Sequence, residues 1–251
     1  MLYLNKEKLQ NEPSMAVQDP DVTDWPQRFS ELAMSAGYPA LKAYYAAGIV
    51  APDTPLADVP LVALDFETTS LNPQQGGIVS IGLVPMSIHR IQSSEARHWV
   101  LKPRARLSSE SVVVHGITHS EVEAAPDLIR ILDELLEQLR GKVVVVHHRG
   151  IERAFLNSAL KARIREGIEF PVIDTMELEA RLYRNKRPSL WARLIGRKPV
   201  SIRLAQSRER YHLPFYRPHH ALTDAIACGE LLLAQVANRF DPQTPISELW
   251  R

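Results

Sequence analysis

"VALDFETTS", residues 62–70, runs from apolar residues into two acids, Asp65 and Glu67, separated only by Phe66. Pro60 and Leu61 precede it, so the stretch reads as a buried strand that ends in carboxylates. Side chains alternate faces along a strand, which puts Asp65 and Glu67 on one face and Phe66 on the other. Two carboxylates held together away from water repel. At neutral pH either one of them takes up a proton or a cation sits between them. Such oxygen donors suit hard divalent cations such as Mg²⁺. A strand end opening into water, with both acids solvated, is the ordinary alternative. The deciding question is whether other acids converge on the same place.

Outward from this strand the chain reads as a layered fold. The stretches 60–67, 78–86 and 96–102 are strand-like and joined by short polar segments, which predicts antiparallel neighbours. Leu128, Ile131, Leu132, Leu135, Leu136 and Leu139 recur at helical spacing, with Pro126 suited to the first turn and Gly141 to the end. "KVVVVHH" (142–148) and "FPVIDT" (170–175) read as strands buried on both faces, with a helix over 151–164 between them. Helices over 175–184, 201–212 and 220–238 follow. The order βββ-α-β-α-β-α-α predicts an α/β fold in which helices flank a mixed sheet. Upstream, 24–48 reads as one or two short helices, with Asp24 as a cap, Pro26 near the start and Pro39 as an interruption. The expected division is an N-terminal tail and helical extension over 1–57, the main domain over 58–240 and a C-terminal tail over 241–251.

Three segments carry residues that can converge with the first two acids. Glu152 lies in the first turn of the helix that follows the 142–148 strand, at the strand's end. In "YRPHHALTDAIACGE" (216–230), His219 precedes the last helix and Asp224 lies about a turn into it, among small and apolar residues where an acid needs a partner. Asp174, at the end of the last strand, is suited to cap the helix after it.

These motifs, taken in order, resemble the DEDDh group of 3′–5′ exonucleases, the DnaQ-like family that includes the proofreading epsilon subunit of bacterial DNA polymerase III. "DFETTSL" (65–71) is similar to that family's first motif, "HHRGIERAFL" (147–156) to its second and "HHALTDA" (219–225) to its third. "HGIT" (115–118) and "VIDT" (172–175) also match, and the likeness covers roughly 58–238. The resemblance implies an RNase H-like mixed five-stranded sheet and two divalent ions, Mg²⁺ or Mn²⁺. It implies Asp65, Glu67, Glu152 and Asp224 as their ligands and His219 as the general base. It implies that Phe66, Thr68, Leu71 and His115 contact the terminal nucleotide, with core packing the alternative for Phe66. The product is then a nucleoside 5′-monophosphate. The chain departs from the pattern at Ser70, where the family usually has Gly, and at Glu152, where it has Asp. Glu keeps the charge on a side chain one methylene longer, so activity is expected to survive with altered metal preference. A weakened second metal is the competing outcome.

Composition bounds the remaining classes. Of the 251 residues 45% are hydrophobic and 24% charged, an ordinary globular balance. No apolar run approaches the roughly 18 residues of a membrane span. One cysteine, Cys228, allows no internal disulfide, so a cytoplasmic setting is expected. His115 and His119 are four apart, but the intervening Gly-Ile-Thr fits a loop, which argues against zinc. From Arg181 to Arg217 there are 11 Lys or Arg against one acid, Glu209; from Met1 to Ser70 there are 4 against 10. The basic stretch suits a nucleic-acid backbone or a solvated face. The expected partner is single-stranded DNA or a DNA 3′ end, with RNA or short oligoribonucleotides as the alternative substrate. A non-catalytic nucleic-acid-binding module is the third reading. Residues 1–57 and 181–217 are the expected surfaces for a protein partner or homodimer.

Overall fold

A computed structural model describes residues 24–105, 116–183 and 200–251. Five strands form one sheet: β1 (Leu61–Thr68), β2 (Ile78–Met86), β3 (Arg97–Val100), β4 (Val143–Val146) and β5 (Val172–Asp174), in the order β3-β2-β1-β4-β5. The pairs β1–β2 and β2–β3 are antiparallel, as their short connections predict. The pairs β1–β4 and β4–β5 are parallel, the second bridged by the helix α5 (Arg149–Ile164). The expected mixed five-stranded sheet flanked by helices is therefore the observed one. No helix among the described residues is long and apolar enough to cross a membrane.

The register opens the site. Leu61, Val62 and Ala63 pair with Val143, Val144 and Val145, and β4 ends one residue later. β1 runs on to Thr68, so Asp65 and Glu67 stand beyond the carboxyl end of β4, where α5 begins. The pairing of β1 with β2 shifts between Glu67 and Thr68, a bulge that ends the regular strand beside the acids.

Several boundaries differ from the sequence-based ones. Remaining helices are α1 (Trp25–Ser35), α2 (Pro39–Ala46), α3 (His119–Ala124), α4 (Leu132–Leu139), α6 (Thr175–Tyr183), α7 (Leu204–Arg210) and α8 (Ala221–Arg239). The helix expected from Pro126 begins instead as a 3₁₀ turn, Leu128–Arg130, before α4. Asp127 accepts from the Ile129 amide at 3.0 Å while Arg163 grips the same carboxylate at 2.6 and 2.9 Å, so the cap sets the start. The short α3 was not expected. Thr118 and Glu121 form a capping box, a signal present in the T-x-x-E spacing.

Both ends of the described chain join the core. Asp24 caps α1 at 2.9 Å, as expected. Trp25, Phe29, Leu41, Tyr44 and Tyr45 are buried and continuous with the sheet's hydrophobic core, and burying each such side chain contributes about 1.5–3 kcal/mol. Residues 241–251 are not a free tail. Arg251 exchanges two backbone hydrogen bonds with Val172 (2.9 and 3.1 Å) and Trp250 is buried, so the segment covers the outer edge of β5.

The last helix reaches the sheet because Gly82 has no side chain. Gly82 pairs with Asp65 across β1–β2. A Cβ on it would lie 2.2 Å from both the Ala221 carbonyl carbon and the Leu222 amide nitrogen. The first turn of α8, which carries Asp224, therefore rests on bare backbone beside Asp65. Gly82→Ala must push α8 outward. We expect a loss of about 1–3 kcal/mol in urea unfolding, together with weaker divalent-cation binding; unchanged stability and cation affinity would contradict this packing.

Candidate active site

Asp65, Glu67 and Asp224 each offer a carboxylate oxygen, and these oxygens lie within 4.8 Å of one another. The strand alternation predicted for Asp65 and Glu67 thus holds, and the third acid arrives from α8. Glu152 lies in the first turn of α5, 3% exposed, and its charge bears on Asp65. Its Oε2 is buried without a hydrogen-bond partner among the described residues. None of these four acids forms an ion pair with Arg or Lys among the described residues.

Burial without cationic partners makes the carboxylates reluctant to ionise. Part of Asp65 reaches solvent, but its carboxylate is enclosed by protein. That burial, followed by the charges of Glu152, Asp224 and Glu67, pushes Asp65 well above the usual carboxylate range. Burial and then Asp224 push Glu67 up to about 8. Burial pushes Glu152 up to about 8, with Asp174 adding to the rise. Asp224 is also raised by burial, against the pull of two backbone N–H donors. An all-oxygen donor set, mutually repelling, unpaired and including an orphaned oxygen, fits hard divalent cations such as Mg²⁺ or Mn²⁺.

Two backbone amides hold Asp224 in place. The Asp224 Oδ2 accepts from the His219 N–H at 2.7 Å and the His220 N–H at 3.2 Å. His219 is exposed, at the left-handed φ of 72°, directly before the N-cap residue His220. Asp174 caps α6 through the Met176 and Glu177 amides (3.0 and 3.3 Å), as its position suggested. It also accepts from the His148 and Arg149 amides (3.1 and 3.0 Å) at the start of α5, which sequence reasoning missed. One carboxylate therefore ties together the two helix starts that follow β4 and β5, and so fixes where Glu152 stands. His147, the other side chain at this junction, is half-buried and lies between Thr175 Oγ1 (2.8 Å) and the Ile202 carbonyl (3.1 Å). Burial pushes its imidazole down to about 4, so it stays neutral and structural.

The remaining expected site residues separate. Thr68 borders the acids, and its Oγ1 donates to the Ser70 carbonyl at 2.8 Å. Leu71 is 57% exposed on the same loop. Phe66, 7% exposed, turns into the hydrophobic core on the face opposite the acids, which gives it the packing role. His115 lies outside the described residues. The basic stretch is less free than its charge count implied, and 184–199 lies outside the described residues. Arg181 pairs with Glu177 (3.1 Å), Arg208 with Glu230 (2.7 Å) and Arg210 with Glu179 (2.6 Å), while Arg203 and Arg217 are exposed. Gly82, His98 and His220 were also missed. The only signal for Gly82 was a glycine inside a strand, which marks a close approach of backbone.

Comparison with known proteins places this geometry among nucleases. A family model described as "Exonuclease" (RNase T) matches residues 62–232. The chain is 27% identical over 240 residues to a PolC-type DNA polymerase III of Thermotoga maritima, covering 92% of this chain and 16% of that one. It is 28% identical over 134 residues to the DNA polymerase III epsilon subunit of Rickettsia prowazekii, covering 51% of this chain and 58% of that one. The chain thus spans only a small part of the PolC-type relatives. Among solved structures it is similar to the nuclease domain of 3'hExo, a DEDDh family member bound to rAMP (TM-score 0.59, 16% identity, 72% of this chain and 92% of that one). It is also similar to Exonuclease X in complex with 5′ overhanging duplex DNA (TM-score 0.54, 21% identity, 71% and 92%).

The raised carboxylates set a pH dependence. Between the ordinary glutamate value of 4.5 and about 8, folded Glu67 and Glu152 retain protons that the unfolded chain has released. Their contribution to stability therefore falls as pH rises through that window and is constant above about 8. In thermal melts with chelator, Glu152→Gln should flatten this fall. Mn²⁺ should raise the wild-type melting temperature more at the alkaline end of the window than at the acid end. A Mn²⁺ shift that shrinks as pH rises would contradict the assignment.

Proposed function

The chain belongs to the exonuclease family, as a 3′–5′ exonuclease of the DnaQ-like type, and on that footing we propose that it shortens DNA from a 3′ end, releasing nucleoside 5′-monophosphates one at a time. The observation that carries this reading is the set of buried and half-buried carboxylates that pair with no lysine or arginine among the described residues. The names of the 27% and 28% identical relatives, both DNA polymerase III chains, support DNA over RNA. They also make a DNA polymerase the protein partner to test.

Asp65, Glu67, Glu152 and Asp224 are the residues that would hold divalent cations. The chemistry such cations supply when bound is stabilisation of the negative charge that builds on the phosphodiester as water attacks. His219 takes the proton of that water. A neutral imidazole nitrogen can accept that proton, and the exposure of His219 lets the proton pass to solvent. The Asp224 clasp on the His219 and His220 amides makes base and carboxylate one unit. Thr68 and Leu71 border the acids on the side open to a terminal nucleotide. Leu71 offers an apolar face against which a base or sugar packs without regard to sequence.

The test is a digestion of matched, 5′-labelled DNA and RNA oligomers with Mg²⁺ or Mn²⁺. The expected result is a ladder of 3′-shortened DNA that disappears with chelator and in Asp65→Ala. Faster shortening of RNA would overturn the DNA assignment, and full activity in Asp65→Ala would overturn the site. Glu152→Asp restores the residue type usual in the family. In this chain it withdraws the carboxylate from its place beside Asp65, because the Asp174 clasp fixes the start of α5. A displacement of that order should lower turnover by about tenfold to a hundredfold. A gain in turnover would show that the native Glu152 is the misfit.

A further inference from the structure

We propose that His98, on β3, is a positioning residue for the reaction and sets the orientation of His219 through its stacked contact with His220. The proposal rests on the reading that His219 is the general base.

The His98 and His220 rings lie 4.7 Å apart between centroids, with planes 34° from parallel. His98 is the β3 partner of Gly82, the residue on whose bare backbone the start of α8 rests. The first turn of α8 is therefore supported from below by Gly82 and from the side by the His98 ring. The His220 ring is fixed on its other edge as well: its Nδ1 accepts from the Thr223 amide at 3.3 Å and lies 3.2 Å from Thr223 Oγ1. That ring belongs to the residue whose amide, with that of His219, donates to Asp224 Oδ2.

His219 itself has little to hold it. It is exposed, it adopts a left-handed φ of 72°, and its ring makes no hydrogen bond to another described residue. Its direction is inherited from the backbone at 219–220. That backbone is held by the Asp224 carboxylate on one side and by the His220 ring, clamped between His98 and Thr223, on the other. An edge-strand side chain with no place in the carboxylate cluster thereby controls where the base points. The contact that does this is ring on ring, so an aromatic side chain of similar size should substitute for the imidazole.

The experiment compares the full-length wild type with His98→Ala and His98→Phe, using Mn²⁺ and the p-nitrophenyl ester of thymidine 5′-monophosphate. The expected result is a kcat about tenfold lower in His98→Ala, with KM and Mn²⁺ affinity within about twofold of wild type. His98→Phe should recover most of the kcat. In NMR spectra the His219 imidazole signals, assigned with a His219→Gln sample, should move in His98→Ala and return in His98→Phe. An unchanged kcat in His98→Ala, an equal loss in both variants, or a parallel loss of Mn²⁺ affinity would each overturn the proposal. Should the wild type cleave no phosphodiester, the exonuclease reading fails by itself. The imidazole signals then still decide whether His98 orients His219, and unmoved signals would refute it.

Discussion

Bringing buried and half-buried carboxylates together, with no lysine or arginine paired to them among the described residues, is the constraint on which the rest of this structure depends. Like charges in an enclosed place destabilise the fold that holds them, and the raised protonation of Asp65, Glu67, Glu152 and Asp224 measures that strain. The surrounding architecture answers a positional problem: four acids from three distant parts of the chain must meet. β1 outruns β4 so that two of them project past the end of the sheet. Gly82 lets α8 sit on strand backbone, which brings Asp224 in. Asp174 draws the start of α5 to the end of β5, which sets Glu152.

Among the described residues, several arginines are paired with acids away from the site. Arg163 holds Asp127, Arg208 holds Glu230, and Arg210 with Arg239 holds the fully buried Glu179. Those pairs knit the helices around the sheet, while at the site two backbone amides orient Asp224 without neutralising it. Such an arrangement is poor for stability and good for binding a cation, because the energy withheld in folding is recovered when the cation enters.

Much of this was legible in the sequence. The apolar run into Asp65 and Glu67, the Val143–Val146 strand and the ordered motifs gave the sheet, the helices around it and the acids that meet. Phe66 was ambiguous because alternation says which face a residue takes but not which face is the core. The expected Pro126 helix start failed because a side-chain cap, Asp127, held by an arginine 36 residues away, outweighed local propensity. The terminal segments read as appendages because their partners, β5 for residues 241–251 and the core for α1 and α2, lie far off in sequence. The basic stretch read as a free cationic face for the same reason: the acids that absorb Arg208 and Arg210 lie on other helices. Gly82 and His98 matter only through what rests on them, which no local pattern announces.

The central claim is that Glu67 and Glu152, pushed up to about 8 by burial, stay largely protonated at neutral pH until divalent cations draw them into the ionised form. Calorimetric titration of Mn²⁺ at pH 7, repeated in two buffers of different ionisation enthalpy, counts the protons released on binding. The account predicts saturable binding with net proton release to the buffer, because Glu67 and Glu152, which titrate at about 8 without a cation, must ionise to act as ligands. Binding with no proton release, or no binding at all, would contradict it.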